Sequence, residues 1–227
     1  DNVTNINDIK IKDILADKII NDVYFIDELA YVCCGFGIVV VDMSRMEVKD
    51  TYIIGRNGAY LSVNDITVYD GKFYAATHNG IYYADYDNEN LADYSQWYRD
   101  NNIIHHSTNY SEIETFNNEL LANYSENIYN SDTLFIYDGE KWDYFKKGGH
   151  AIKREIKVQD DRLILVGHYS VKALNRSYNT ILDAYTGIEP FAAIYDNINK
   201  VYWIGDRYNS LIKMYPDKTR EDILFNG

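Results

Sequence analysis

Four acidic side chains recur at one position of a repeating pattern. Asp22, Asp65, Glu112 and Glu155 each stand immediately before an aliphatic residue, respectively Val23, Ile66, Ile113 and Ile156; a fifth copy, at Ile194, carries Ala193 in place of the acid. If the strands that carry them line a common channel, the four are candidate channel carboxylates. Oxygen ligands gathered at one level suit calcium, and a pair of carboxylates suits cleavage of a glycosidic bond. The plainer chemistry is that Asp and Glu at the entry to a strand accept backbone hydrogen bonds from the adjoining turn. Nothing in the spacing singles out one acid for the raised pKa that a general acid needs, so the hydrogen-bonding reading is preferred.

Other residue types that carry chemistry are not arranged to do so. His105 and His106 are consecutive, and in an extended segment their rings point to opposite faces. His78, His150 and His168 have no His or Cys at ligand spacing. Cys33 and Cys34 are adjacent in an apolar strand and read as small buried thiols. Serine nucleophile elbows, glycine-rich phosphate loops and paired-cysteine motifs are absent. No catalytic residue, metal site or cofactor is therefore assigned, a calcium ion at the acidic positions being the one alternative.

Aromatic residues are the better functional lead. Tyr82, Tyr83, Tyr94, Tyr124, Tyr129 and Tyr144, with Trp97, Tyr98 and Trp142, exceed what one face of each strand can bury. Aromatic rings anchor protein interfaces and stack on sugars, although packing between neighbouring sheets is the commoner use of any one of them. Trp97, Tyr98 and Trp142 are the candidate interface aromatics. Two of them lie in residues 86–109, the longest stretch outside the repeat, and long loops on regular scaffolds often carry function.

The elements that must position these residues follow from the repeat. Residues 30–42 align without a gap on residues 73–85, which pairs Tyr31 with Tyr74 and Gly37 with Gly80. Weaker copies open near Tyr110, Lys153 and Phe191. In each, an alternating first strand precedes a short apolar second, a third after a Gly or polar turn, and a more polar fourth. A period near forty with four short strands is the pattern of a β-propeller blade. The sequence thus predicts an all-β propeller of about five four-stranded antiparallel blades. The blades fall at approximately 19–55, 63–100, 110–148, 152–187 and 190–227 of a single domain, with little helix.

Composition narrows the partners. The chain of 227 residues has 35 acidic and 22 basic side chains, a net charge of −13. That excludes a general phosphate-tracking surface, and with it nucleic acid, because such binding needs clustered Lys and Arg. The 23 tyrosines and only two prolines suit strands. No stretch has the length of a membrane span.

Several runs in the first two repeats carry a family resemblance. These are Ile20 to Phe25 preceded by Lys18, then Ala30 to Asp42, Asp50 to Gly55, Val63 to Ile66 and Leu91 to Trp97. Over residues 1–100 the chain resembles the N-terminal propeller of PorZ-type proteins of Bacteroidetes. The resemblance implies an accessory protein of the type IX secretion system, in the periplasm or associated with the outer membrane at the cell surface. A related implication is the periplasmic ligand-sensing propeller of a hybrid two-component system, but the Gly-Leu turn motif repeated in those sensors is not found here. The function expected is non-enzymatic binding or scaffolding on a protein partner or surface glycan. The rival is a glycan-active enzyme using Asp22, Asp65, Glu112 and Glu155.

Val3 to Ile6 reads as an orphan outer strand within residues 1–18, followed by a polar linker. The last repeat already supplies its own fourth strand at Thr219 to Phe225, so the orphan has no vacancy to fill. The expectation is a partial ring of a larger, seven-bladed propeller, with self-association through open blade edges.

Overall fold

The computed structural model describes residues 6–11, 13–125, 132–148, 153–184 and 187–223. Apart from one helical turn at Asp8–Ile11 and three 3-10 turns, the described chain is strand and loop. Among the described residues, twenty strands form five four-stranded antiparallel sheets. The first contains β1 (Ile20–Ile26), β2 (Leu29–Cys34), β3 (Gly37–Asp42) and β4 (Glu47–Tyr52). The second contains β5 (Val63–Tyr69), β6 (Lys72–Thr77), β7 (Gly80–Asp85) and β8 (Tyr98–Arg99). The third is β9 (Tyr110–Phe116), β10 (Glu119–Tyr124), β11 (Thr133–Tyr137) and β12 (Trp142–Tyr144). The fourth is β13 (Lys153–Gln159), β14 (Arg162–Gly167), β15 (Val171–Asn175) and β16 (Thr180–Ala184), and the fifth β17 (Pro190–Asp196), β18 (Val201–Asp206), β19 (Ser210–Met214) and β20 (Arg220–Ile223). Each sheet runs in simple sequence order from its first strand to its fourth.

The chain groups into two compact units, residues 1–124 with 137–143, and residues 125–136 with 144–227. In the first unit the core between the first two sheets is built from Tyr31, Ile38, Ile54, Ile66, Phe73 and Trp97. A second apolar layer covers the other face of the first sheet, where Ile6, Ile9 and Ile14 pack on Val32, Phe36 and Val39. The second unit closes around Ile164, Val166, Ala173, Tyr202, Ile204 and Ile212. Each Val, Ile or Phe side chain among them, withdrawn from water, contributes about 1.5–3 kcal/mol.

Turn chemistry explains the hairpins. Asp70-Gly71 and Asn117-Asn118 take positive φ at both residues, as two-residue hairpin turns require. Gly80 opens β7 at φ +104, and a Cβ there would lie 2.1 Å from the carbonyl oxygen of His106. Only glycine admits that approach, and its NH donates to the carbonyl of Thr108 at 2.7 Å. The loop after β8 is thereby held to the end of the second sheet.

One regularity is invisible in the apolar pattern. All five first strands carry a bulge at their second residue. The pairing steps from Ile20 to Asp22, Val63 to Asp65, Tyr110 to Glu112, Lys153 to Glu155 and Pro190 to Ala192. An extra residue at that point re-aims its side chain and breaks the alternation expected of these strands. In β5, Ile66 and Thr67 are both buried while Val68 is only partly so. The expected outer strand at Val3 to Ile6 falls, except for Ile6, outside the described residues, and Ile6 is not in a strand.

Candidate functional site

The bulges decide what the acidic positions do. At the bulged residue itself, the Asn21 amide donates to the carbonyl of Val63 at 2.6 Å, and the Asn64 amide to that of Tyr110 at 2.7 Å. In the second unit, Arg154 does the same to the carbonyl of Pro190 at 3.0 Å. Every acceptor is the first residue of the next first strand. The acid that follows the bulge makes the complementary bond. Asp65 accepts the Ile113 NH at 2.7 Å and Glu155 the Ala193 NH at 3.1 Å, each donor being the fourth residue of the next first strand. These two carboxylates thus accept backbone hydrogen bonds from the neighbouring first strand and not from the adjoining turn.

Within the first unit, Asp65 is the perturbed member. Burial raises its pKa well above the ordinary carboxylate value, the charges of Glu112 and Asp22 push it further up, and the Ile113 NH opposes them. Its other oxygen accepts the Ile66 NH at 2.7 Å. Asp22 is exposed. In the second unit, Glu155 has Lys157 at 3.7 Å. Among the described residues no three His, Cys, Asp or Glu side chains converge as a metal site. Cys33 and Cys34 are free and buried, and desolvation pushes their thiols up, Cys34 to about 11. His105 and His106 lie in a turn rather than a strand, and His105 stacks on Tyr124 with ring centroids 4.4 Å apart.

The three candidate aromatics separate. Trp97 is 5% exposed; it packs on Tyr52 and Phe73, and its indole NH donates to the carbonyl of Leu91 at 2.9 Å. Trp142 is 8% exposed and donates to Asp100 at 2.8 Å. Both are interior anchors, because a Trp with its NH satisfied is a large apolar body. Tyr98 is 57% exposed and remains available to a partner. Tyr129 falls outside the described residues.

Around Tyr98 the first unit has an open cleft of about 490 Å³. One wall is the turn at Arg56–Gly58, where Gly58 beside the Tyr94 ring takes φ +72, a backbone conformation that favours glycine. The other is a 3-10 turn at Tyr94–Gln96, capped by Asp93, whose carboxylate accepts the Ser95 NH at 2.8 Å. Trp97 fixes this turn to the core, so the stretch expected as a bare connection is an anchored loop that supplies β8, the short fourth strand of the second sheet. Arg56, Asn57, Asn79, Tyr94, Arg99 and Asn101 line the cleft with Tyr98, and no acidic residue does. Neither Arg56 nor Arg99 is in an ion pair among the described residues. The nearby acids are engaged elsewhere: Asp93 in its cap, and Asp100 with Trp142 and the Asn102 NH. The spacing of Arg56 and Arg99, one repeat apart, gives no hint in the sequence that they share a cleft.

The second unit has its own charged cluster. Glu189 accepts from Arg154 at 2.9 Å and from Arg207 at 3.1 Å. These guanidiniums, Arg154 foremost, hold its carboxyl down at about 2. The sequence offered no signal for it, since the three residues lie in different strands and loops.

Comparison with known proteins gives the fold its name. Residues 1–98 match the family model described as the type IX secretion system PorZ N-terminal β-propeller domain. The resemblance carried by the first two repeats is thus shown for that part of the chain. No curated protein matches in a sequence comparison. Among solved structures, the chain is similar to PorZ, an essential surface component of the type IX secretion system of Porphyromonas gingivalis. The TM-score is 0.75 at 15% identity, over 99% of this chain and 28% of that one. The extracellular domain of a protein described as a hybrid two-component system of B. thetaiotaomicron gives 0.64 at 14% identity, over 92% and 28%. YCF48 bound to a D1 peptide gives 0.61 at 11% identity, over 92% and 70%. The chain spans about 28% of the length of the first of these structures. The fold is an all-β propeller fold of five four-stranded antiparallel blades.

Proposed function

We propose that this chain is a non-enzymatic binding and scaffolding propeller that acts outside the cytoplasm, in a type IX secretion-associated surface protein, on a protein partner or surface glycan. One observation carries the non-enzymatic half: two of the four candidate carboxylates, Asp65 and Glu155, bind the next first strand at matching positions. A general acid or nucleophile must face substrate, whereas these oxygens face backbone NH groups. The match of residues 1–98 to the PorZ propeller family and the likeness to a secretion component and to a sensor's extracellular domain support the location and the binding role. Binding in this reading needs no cofactor.

Two measurements test it. Surface protease accessibility and envelope fractionation of the parent cells report location; a strictly cytoplasmic signal overturns the reading. Glycoside turnover by the purified chain, abolished in Asp65→Asn, would reinstate the enzyme. The expected result is no turnover in either protein.

A further inference from the structure

We propose that the cleft around Tyr98 is a docking site for an extended acidic peptide segment of a partner protein, which adds to the free edge of β8 with its carboxylates on Arg56 and Arg99. This rests on the reading of the chain as a binding module and specifies where and what it binds.

The edge is open. β8 is the last strand in its sheet, so one side of it pairs with β7 and, among the described residues, the other pairs with no strand. The register fixes which residue faces outward. Arg99 lies opposite Tyr82, and the NH of the next residue, Asp100, donates to the carbonyl of Ile81 at 2.8 Å. Hydrogen-bonded and non-bonded positions alternate along an antiparallel pair. The NH and carbonyl of Arg99 therefore point away from β7. An extended peptide completes such an edge with its own main chain and is selected by pockets for its side chains.

The cleft beside that edge selects for carboxylates. In a chain of net charge −13, two arginines line a cleft whose wall carries no acidic residue. The carboxylates that could neutralise them are held by a cap and by Trp142. Guanidinium binds carboxylate through paired, charge-assisted hydrogen bonds. Arg99 is lightly held, its Nε reaching only the Asn101 amide oxygen at 3.3 Å, and Arg56 is exposed. Tyr94 and Tyr98, 43% and 57% exposed, supply rigid aromatic surface at low entropic cost, and the amides of Asn57 and Asn79 can bond a peptide backbone. A neutral sugar would use the aromatic rings and the amides but would bring no carboxylate to Arg56 and Arg99, which is why the acidic peptide is favoured.

The test uses the 227-residue chain and a fluorescent decapeptide of alternating Glu and Val, with a Gln-for-Glu version as control. Fluorescence anisotropy should show binding of the acidic peptide alone, weakened by added salt. Arg56→Gln and Arg99→Gln should each weaken it about tenfold or more, the effect of losing one charge-assisted hydrogen bond. Amide hydrogen exchange at Arg99 should slow when the peptide is bound. No binding, equal binding of the Gln peptide, or unchanged exchange at Arg99 overturns the proposal. So does an oligogalacturonate that occupies the cleft in place of the peptide. Concentration-dependent self-association that vanishes in the arginine variants would assign the cleft to a second copy, which also overturns it. Capture of a surface partner that both arginine variants retain would sink the peptide cleft while leaving the binding-module reading intact.

Discussion

Asp65 and Glu189 are both carboxylates in hydrogen-bonded settings, yet their surroundings push them in opposite directions. Burial and two neighbouring acids raise Asp65, so between the unfolded and folded pKa values the native state holds a proton that the unfolded chain releases. Its contribution to stability is present at low pH and is lost as pH rises toward the folded-state pKa. Asp65→Asn removes that loss. The melting temperature of the variant minus that of the parent should grow more positive as pH rises above about 4, the unfolded-chain value; a constant difference contradicts the assignment. Glu189 behaves in reverse. Its pKa falls from an ordinary 4.5 to about 2, so its stabilisation is complete above 4.5 and disappears as pH falls through that interval. In Glu189→Gln the acid-side slope of melting temperature against pH should be shallower. An unchanged slope would show that the Arg154 and Arg207 contacts do not persist in solution.

At the scale of elements, the loop from Tyr86 to Asn109 shows how an irregular segment can be rigid. Trp97 and Leu91 are inserted in the core between the first two sheets, and the indole NH ties one to the other. Trp97→Ala should cost about 3–5 kcal/mol in denaturant unfolding, the range for emptying a buried aromatic site. Its neighbour should behave differently. Tyr98→Ala should change stability by no more than about 0.5 kcal/mol, as exposed substitutions do, while weakening the acidic peptide. Comparable destabilisation by both variants would mean that Tyr98 is packed and not presented. The regular elements were legible in the repeat: strands two and three of the first two sheets fall where residues 30–42 align on 73–85. The strand β8 was not, because two residues carry no periodicity and are strand only through their pairing with Tyr82 and Tyr83.

Across the whole molecule the dominant physical fact is the charge of −13. Like charges on a compact chain repel one another, and salt screens them over a Debye length of about 8–10 Å at 0.1–0.15 M. Raising salt from about 10 mM to 150 mM should therefore raise the melting temperature. A fall would mean that attractive pairs such as Arg154–Glu189 outweigh the net repulsion. The same two conditions should show opposite signs for stability and for acidic-peptide binding, because salt relieves repulsion in one and screens attraction in the other.

Composition and period by themselves determined the class of this protein. Four short strands per repeat, turn residues between them and a deficit of cations specify blades that do not track phosphate, since strand alternation and turn chemistry are local properties of the chain. What only the tertiary structure decided is which side chains meet. The sequence placed Asp22, Asp65, Glu112 and Glu155 in one column but could not say that Asp65 and Glu155 face backbone NH groups of the next first strand. That depends on a bulge whose extra residue leaves no mark in the apolar pattern. It named Trp97, Tyr98 and Trp142 together, though burial separates the two indoles from the phenol. It gave no sign that Arg56 and Arg99 share a cleft, because that depends on the turn at Arg56–Gly58 packing beside the turn that leads into β8, an approach no local pattern encodes.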